Sequence, residues 1–525
     1  MGKGSSRRVR AFKRWMKREG IECSDALDLR DEGVEIGISV SALAHLKEGD
    51  VVARIPKLTC LTTRTTAARD IISAAAAGEG EEESCLGGLA GLAVALMYER
   101  SLGERSRWAP YLELLSKEEE SLPLVWSADE VEQLLAGTEL EGTVKEDKGV
   151  MWKEWKESIE PTILLQMHPL DAAAVEFDPS FFGFGDYLAA RTLISSRSFQ
   201  IDEYHGVGMV PLADLFNHKT GAEDVHLMTS PHKSESNTTQ ENNESDTTTT
   251  SISAIHDDDM SASITVDEGE GDDSGGEGDN GDGDNSEGGD DSDDDDLEMT
   301  MVKDVKLGAE VFNTYGSLGN AALLHRYGFT EPDNPYDIVN IDLELILQWS
   351  SSLFSGQHRR ARLSLWKRLD YSGCVTHNSE YFEVSFNGEP EIEMLVLLYI
   401  MLLPHDAYYK MDLALAIAGS SSKPMDIIFS DKSKKSCHKT GLLSEDLLLT
   451  KSLCNALLSL ADMRDSLYGT NSIEDDIEAL GRCCCLSDKK LYHSLMLRIS
   501  ERRILQKLKM YAAKETSVRK KLKRK

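Results

Sequence analysis

The chain lacks any uninterrupted apolar run near the roughly 18 residues that a membrane-spanning helix needs. Cys85 to Tyr98 and Met394 to Leu403 come closest, so no membrane association is expected. No apolar segment follows the basic N-terminus, and a secretory signal is therefore not expected either. Cysteine is sparse, with nine among 525 residues and no C-x-x-C pair. Cys483, Cys484 and Cys485 are adjacent, a spacing that suits a metal poorly. Reduced thiols in an intracellular compartment and no bound metal are the expectation. There is no repeat of fixed 20 to 50 residue period, which sets aside a solenoid or propeller. From His232 to Glu298 there is no Phe, Trp or Tyr at all.

That aromatic-free stretch also dominates the charge. The whole chain carries 57 Lys plus Arg against 91 Asp plus Glu, a formal net charge of −34. Residues 232–298 hold 24 acidic side chains and one basic one, Lys233. Such a composition cannot bury enough apolar surface to offset ordering entropy, which predicts a disordered acidic loop. Its flanks, Glu223 to Leu227 and Met299 to Lys303, read as short strands, so the loop belongs inside one domain. Lengthening a loop from about ten to about 67 residues costs only about 2 kcal/mol of closure entropy. The chain ends have the opposite sign: residues 1–20 carry eight Lys/Arg and one Glu, and residues 514–525 carry seven and one. Both read as basic tails of the nuclear-import or nucleic-acid-contacting type, and the expected compartment is the nucleus or nucleolus, with the cytoplasm second.

Periodicity divides the remainder. Gly33 to Pro56 reads as strands and turns, Leu86 to Ile201 as mainly helical, and Gly208 to Gly316 as strands around the acidic loop, with Glu310 to Gly316 as one strand. Beyond Ile341 the pattern is helical over Leu343 to Leu369, Glu391 to Leu403, Ser444 to Leu467 and Lys489 to Ala513. The predicted class is α+β. A β-rich domain over 21–345 has a helical insertion at about 86–200, and an all-helical domain follows over 346–513.

Three segments carry chemistry. Pro211-Leu-Ala-Asp214-Leu-Phe-Asn217-His218 precedes the acidic loop, and Gly308-Ala-Glu-Val-Phe-Asn-Thr-Tyr315-Gly316 and His325-Arg-Tyr327-Gly-Phe329 follow it. Together they resemble the signature of SET-domain protein lysine methyltransferases. The resemblance is to the branch typified by the rubisco large-subunit methyltransferase, and within it to members that methylate ribosomal and nuclear proteins. Arg107-Trp-Ala-Pro-Tyr111-Leu and Leu134-Leu-Ala-Gly137-Thr138 match the same branch, which extends the likeness over about residues 25–510 apart from the acidic loop.

The resemblance implies a SET domain with helical insertion, a helical substrate-docking domain, and S-adenosylmethionine as cofactor. It puts Tyr315 at the catalytic tyrosine. Asn217 and His218 fall at the cofactor-binding pair, Arg197 and Asp214 line the cofactor and lysine site, and Tyr327 and Phe329 wall the adenine and the lysine channel. It also implies a pseudoknot that brings the Asn217-His218 segment beside the Tyr315 segment. The expected partner is a basic protein, ribosomal or histone, with no specific nucleic acid, and the expected enzyme is a monomer.

In the first cofactor turn the family reads Gly-x-Gly-Leu, and the matching residues here are Glu35-Ile36-Gly37-Ile38. Glu35 has a Cβ where the pattern has none, which restricts backbone approach to a ligand. Two other readings follow from the same residues. One is methylation of histidine, whose neutral imidazole needs less deprotonation. The other is an idle SET scaffold that binds basic partners through the acidic loop.

Overall fold

The computed structural model describes residues 6–33, 37–76, 86–117, 121–167, 178–229, 296–368, 381–418, 448–484 and 487–522. It divides into two compact units, Met1–Val125 with Asp147–Ser317, and Trp126–Glu146 with Leu318–Lys525. The sequence pattern places the boundary at 345/346 and the whole insertion, about 86–200, in the first domain. The structural division instead falls at 317/318 and assigns residues 126–146 to the second unit.

The first unit opens on the helix Arg7–Glu19, not on a tail. Ser6 starts it by accepting the Val9 N–H, and Gly20, at φ 83°, ends it. Val9, Phe12, Trp15 and Met16 recur at helical spacing and are all buried, whereas Arg7, Arg10, Arg14 and Lys17 face solvent. Arg8 pairs with Asp31 at 2.9 Å. The cluster of cations thus occupies the outer face of an amphipathic core helix.

Nine strands follow among the described residues of this unit: β1 Glu22–Cys23, β2 Leu27–Asp31, β3 Ile38–Ala42, β4 Val51–Pro56, β5 Leu61–Thr62, β6 Ser198–Asp202, β7 Gly206–Met209, β8 Val225–Thr229 and β9 Asp296–Met301. They form three antiparallel sheets, in the orders β1-β4-β9-β8, β2-β3 and β5-β7-β6. In β9 the buried positions alternate, Leu297, Met299 and Met301 facing the core. The expected acidic loop is therefore shorter at its end than the sequence suggested: Asp296, Leu297 and Glu298 are strand, because Leu297 is buried and Glu298 accepts from Arg54 at 2.8 Å. Residues 232–295 of the expected loop lie outside the described residues.

The helix Gly88–Leu102 buries every residue from Ala90 to Glu99. Glu99 is tolerated there because its carboxylate accepts from Thr66 Oγ1, the Ala67 N–H and Ser106 Oγ at 2.7 to 3.0 Å. The helix Phe184–Arg197 ends where β6 begins.

In the second unit, β10 Val339–Asp342 pairs antiparallel with β11 Tyr381–Val384. The rest is mainly helical. The segment read as one helix from Leu343 is two, Leu343–Ser351 and Gly356–Arg368, because Ser355 captures the His358 N–H and starts the chain afresh. Apolar Ile392–Leu402 is the central helix, packed with Leu453, Leu457, Leu460, Ile504 and Leu508. The helix Lys489–Leu522 continues through most of the expected C-terminal tail.

Residues 126–146 join this unit through a buried polar cluster. Arg464 donates to the carbonyls of Gly137 (2.6 Å) and Asn340 (2.9 Å), and the Glu139 carboxylate accepts the Asn340 N–H at 2.6 Å. Arg464 also lies 3.4 Å from Glu501, which accepts from Tyr468 Oη at 2.5 Å. Burial raises the pKa of Glu139, and the neighbouring Glu501 charge adds to the effect. Gly137 sits at φ +73°, where a Cβ would meet the Leu467 carbonyl carbon and oxygen at 2.5 Å.

Candidate functional site

The chemistry-bearing residues of the first unit meet where two extended segments run side by side. Asn313 N–H donates to the Asn217 carbonyl at 2.9 Å, and His218 and Asn313 form a parallel bridge. The adjacency expected of Asn217-His218 and Tyr315 is therefore present. The segment around Tyr315 is not a regular strand, since Glu310 and Asn313 make single bridges only, to Ser41, His218 and Val225. On the other side, Val311 N–H donates to the Val40 carbonyl at 2.8 Å, which brings β3 into the same place.

His218 and Tyr315 are locked together. The Tyr315 N–H donates to His218 Nδ1 at 3.0 Å, and the rings stack with centroids 5.0 Å apart. An accepting Nδ1 leaves the imidazole proton on Nε2, which lies 3.3 Å from Thr220 Oγ1. The Tyr315 hydroxyl donates to the Phe216 carbonyl at 3.1 Å. The Asn217 side chain donates through Nδ2 to Glu310 Oε1 at 2.7 Å. Glu310 was not singled out from the sequence, since nothing in the spacing links positions 93 residues apart.

Asp214 lies in the tight turn Ala213–Leu215 just before this pair. The preceding Leu212 is fully buried at φ 79°, ψ −48°, the rare γ-turn region that an L-residue occupies only under strain. Arg197 Nη1 donates to the Asp214 carbonyl at 3.0 Å and stands 3.6 Å from Oδ2. Burial lifts the Asp214 carboxyl to about 6, against the opposing effects of Arg197 and of a hydrogen bond from Tyr111.

Gly37 is at φ +87°, stabilised by its N–H donating to the Gly33 carbonyl at 2.8 Å. A Cβ there would meet nothing within 4 Å, so backbone conformation requires the glycine and space does not. Glu35 and Ile36 lie outside the described residues. Tyr327 and Phe329 belong to the second unit, their ring centroids 6.4 Å apart, and burial pushes the Tyr327 phenol up to about 12.

These groups suit a ligand that is both zwitterionic and cationic. Asn217 offers an amide with a donor and an acceptor end, and Arg197 is held on the carbonyl of Asp214, three residues before it in sequence. Asp214 Oδ1 is a buried acceptor with no hydrogen-bond partner among the described residues. Gly37 leaves open space beside the backbone. Among the described residues no group of three or more His, Cys, Asp or Glu could hold a metal ion, and no single helix is long and apolar enough to cross a membrane.

No protein-family model matches the chain. Curated relatives do. N-lysine methyltransferase setd6 of Xenopus tropicalis is 24% identical over 375 residues, 69% of this chain and 66% of that protein. Ribosomal lysine N-methyltransferase 3 of Saccharomyces cerevisiae is 25% identical over 350 residues, 58% of this chain and 59% of that protein. The match thus spans just under two thirds of the frog protein and less of the yeast one. Among solved structures, the SET domain of LSMT bound to lysine and AdoHcy superposes with a TM-score of 0.60 at 20% identity, covering 98% of this chain and 92% of that one. Rubisco LSMT bound to AdoMet gives 0.59 at 19%, covering 97% and 92%. The chain has the SET fold of those structures, with a helical C-terminal region.

Proposed function

We propose that the chain is an S-adenosylmethionine-dependent protein-lysine N-methyltransferase acting on a basic ribosomal or nuclear protein. The observation that carries this reading is the pairing of Asn217-His218 with Asn313-Tyr315, which brings a stacked His–Tyr pair and the Phe216 carbonyl to one point. The names of the frog and yeast relatives, and the AdoMet and lysine bound by the solved neighbours, support it. A net charge of −34 favours a basic substrate through complementary charge. The reading puts the enzyme in the nucleus, with the cytoplasm as the second compartment.

Bound S-adenosylmethionine would supply an electrophilic methyl group on a sulfonium. Gly37, Arg197, Asn217 and His218 are the residues that would hold it. A substrate lysine has to be neutral to react, and from a free pKa of about 10.4 this costs roughly 4 to 5 kcal/mol at neutral pH. Desolvation and the sulfonium charge both lower that pKa, and orientation of the amine removes much of the remaining barrier. Tyr315 commits its proton to the Phe216 carbonyl, so its oxygen is left to accept from the amine without competing as a nucleophile. His218 fixes the backbone from which that phenol projects.

The test is methyl transfer from labelled S-adenosylmethionine to a ribosomal-protein fraction and to histones, comparing the full chain with Tyr315→Phe. Transfer should fall by about 10²-fold or more, with cofactor affinity retained. Equal labelling would remove Tyr315 from the mechanism, and absence of cofactor binding by the wild type would overturn the reading. Sequencing the labelled peptide should find the methyl on lysine; a methyl on histidine would replace the lysine assignment.

A further inference from the structure

One buried contact in the first unit is not used by the mechanism above. Tyr111 Oη donates to Asp214 Oδ2 at 2.8 Å, across 103 positions of sequence, and both side chains are shut off from solvent. Arg197 stands on the same carboxyl at 3.6 Å and holds the Asp214 carbonyl as well. Three residues later come Asn217 and His218. Tyr111 itself is fixed by aromatic packing, 6.1 Å from Phe12 and 6.3 Å from Trp15 between ring centroids, and Trp15 Nε1 donates to the Arg107 carbonyl at 2.8 Å. The N-terminal helix and the Arg107-Trp-Ala-Pro-Tyr111 segment thus end on the carboxyl that stands behind the candidate cofactor residues.

We infer that Tyr111 is a positioning residue: its hydroxyl keeps Asp214 in the carboxylate form that holds Arg197 on the turn leading into Asn217 and His218. The inference rests on the proposed function and adds to it the group that sets its pH dependence. The charged and titratable side chains that face Asp214 are Arg197, from the end of the helix Phe184–Arg197, and Tyr111, from the short helix Ala109–Leu112. Cys60 lies near Tyr111, and burial raises its thiol, so it stays neutral. Burial and the Asp214 charge push the Tyr111 phenol well up, and it remains a donor throughout the working range. For Asp214 the balance is closer, because burial opposes ionisation while Arg197 and the Tyr111 hydrogen bond favour it. A protonated Asp214 no longer attracts the guanidinium, and Arg197 loses its anchor.

Tyr111→Phe keeps the packed ring and removes only the donor. In the full chain, S-adenosylmethionine binding would be measured by calorimetry as a function of pH, together with thermal unfolding of both proteins. Wild-type affinity should fall on the acid side with a midpoint near 6. In Tyr111→Phe that midpoint should move to higher pH, and in Asp214→Asn the acid limb should vanish while affinity is weak throughout. Superimposable acid limbs for wild type and Tyr111→Phe would overturn the inference. So would a lower unfolding temperature with affinity scaled equally at every pH, since that is what a merely structural tyrosine gives. A wild type that binds no cofactor would sink the proposed function itself, an outcome separate from an unmoved limb.

Discussion

The backbone N–H of Tyr315 is held by the ring nitrogen of His218, 97 positions earlier, and the two rings stack. The residue that would orient the amine is thereby aligned by one of the residues that would hold the cofactor. Substituting His218→Ala should leave that N–H without its acceptor, at a cost of about 1 to 3 kcal/mol, and remove a ring contact of about 0.5 to 1.5 kcal/mol. We expect weaker S-adenosylmethionine binding and a lower methyl-transfer rate together, measured by calorimetry and labelled transfer. Intact values for both would separate the two residues functionally.

The N-terminal helix should be indispensable. Trp15 is 2% exposed, and its indole N–H is satisfied by the Arg107 carbonyl. Trp15→Ala should destabilise by about 3 to 5 kcal/mol, readable in denaturant unfolding, and a chain lacking residues 1–20 should fail to fold its first unit. A truncation as stable as the full chain would mean that the helix is peripheral after all.

Gly137 invites a sharper test. Both its φ of +73° and the 2.5 Å approach of the Leu467 carbonyl forbid a side chain. Gly137→Ala must displace backbone, and a loss of about 1 to 3 kcal/mol is expected from the strained φ alone. Gly142→Ala, with nothing near its missing Cβ, is the control and should be nearly silent or slightly stabilising.

The buried carboxylates predict a pH effect on stability. Burial raises Glu139 and Glu501 above the ordinary 4.5; the Glu501 charge raises Glu139 further, and the Asp337 charge adds to the rise of Glu501. The folded state therefore holds protons that the unfolded state has released, and stability falls as pH rises through the interval above 4.5. Glu139→Gln keeps an oxygen for the Asn340 N–H and removes the charge. It should flatten the pH dependence and be the more stable protein on the alkaline side, as measured by unfolding at several pH values. An unchanged slope would show that Glu139 does not titrate there.

Thr229 and Leu297 are register partners in the β8–β9 pair, so the chain leaves and re-enters at adjacent points. Replacing residues 231–295 with a short turn should preserve folding. If the acidic segment attracts a basic substrate, association should slow at low salt and be unaffected at high salt, because screening shortens the reach of charge. Identical rates at both would leave the segment without a steering role.

Helical and strand periods made the main elements legible: β3, β4, the mainly apolar helix Gly88–Leu102 and the central helix Ile392–Leu402 follow from local patterns that survive burial. The basic ends misled because charge counts ignore phase. Between the cations of residues 7–19 lie Val9, Phe12, Trp15 and Met16 on one face, and the 3.6-residue period outweighs net charge in deciding helix from tail. Likewise the isolated bridges at Glu310 and Asn313 look like a strand in sequence, since extended residues carry the same side chains whether or not a partner strand continues beside them.

The sequence by itself determined the fold class, the Asp214-Leu-Phe-Asn217-His218 and Asn313-Thr-Tyr315-Gly316 segments as two separate local patterns, and the asymmetric distribution of charge, because each is written in residues close together along the chain. Tertiary structure alone decided that Tyr111 reaches Asp214, that Glu310 holds Asn217, and that residues 126–146 join the helical unit through Gly137 and Arg464. Those contacts join positions 93 to 327 residues apart. No local propensity encodes a hydrogen bond across such a distance; it forms only when packing elsewhere has removed water and brought the two groups to within 3 Å.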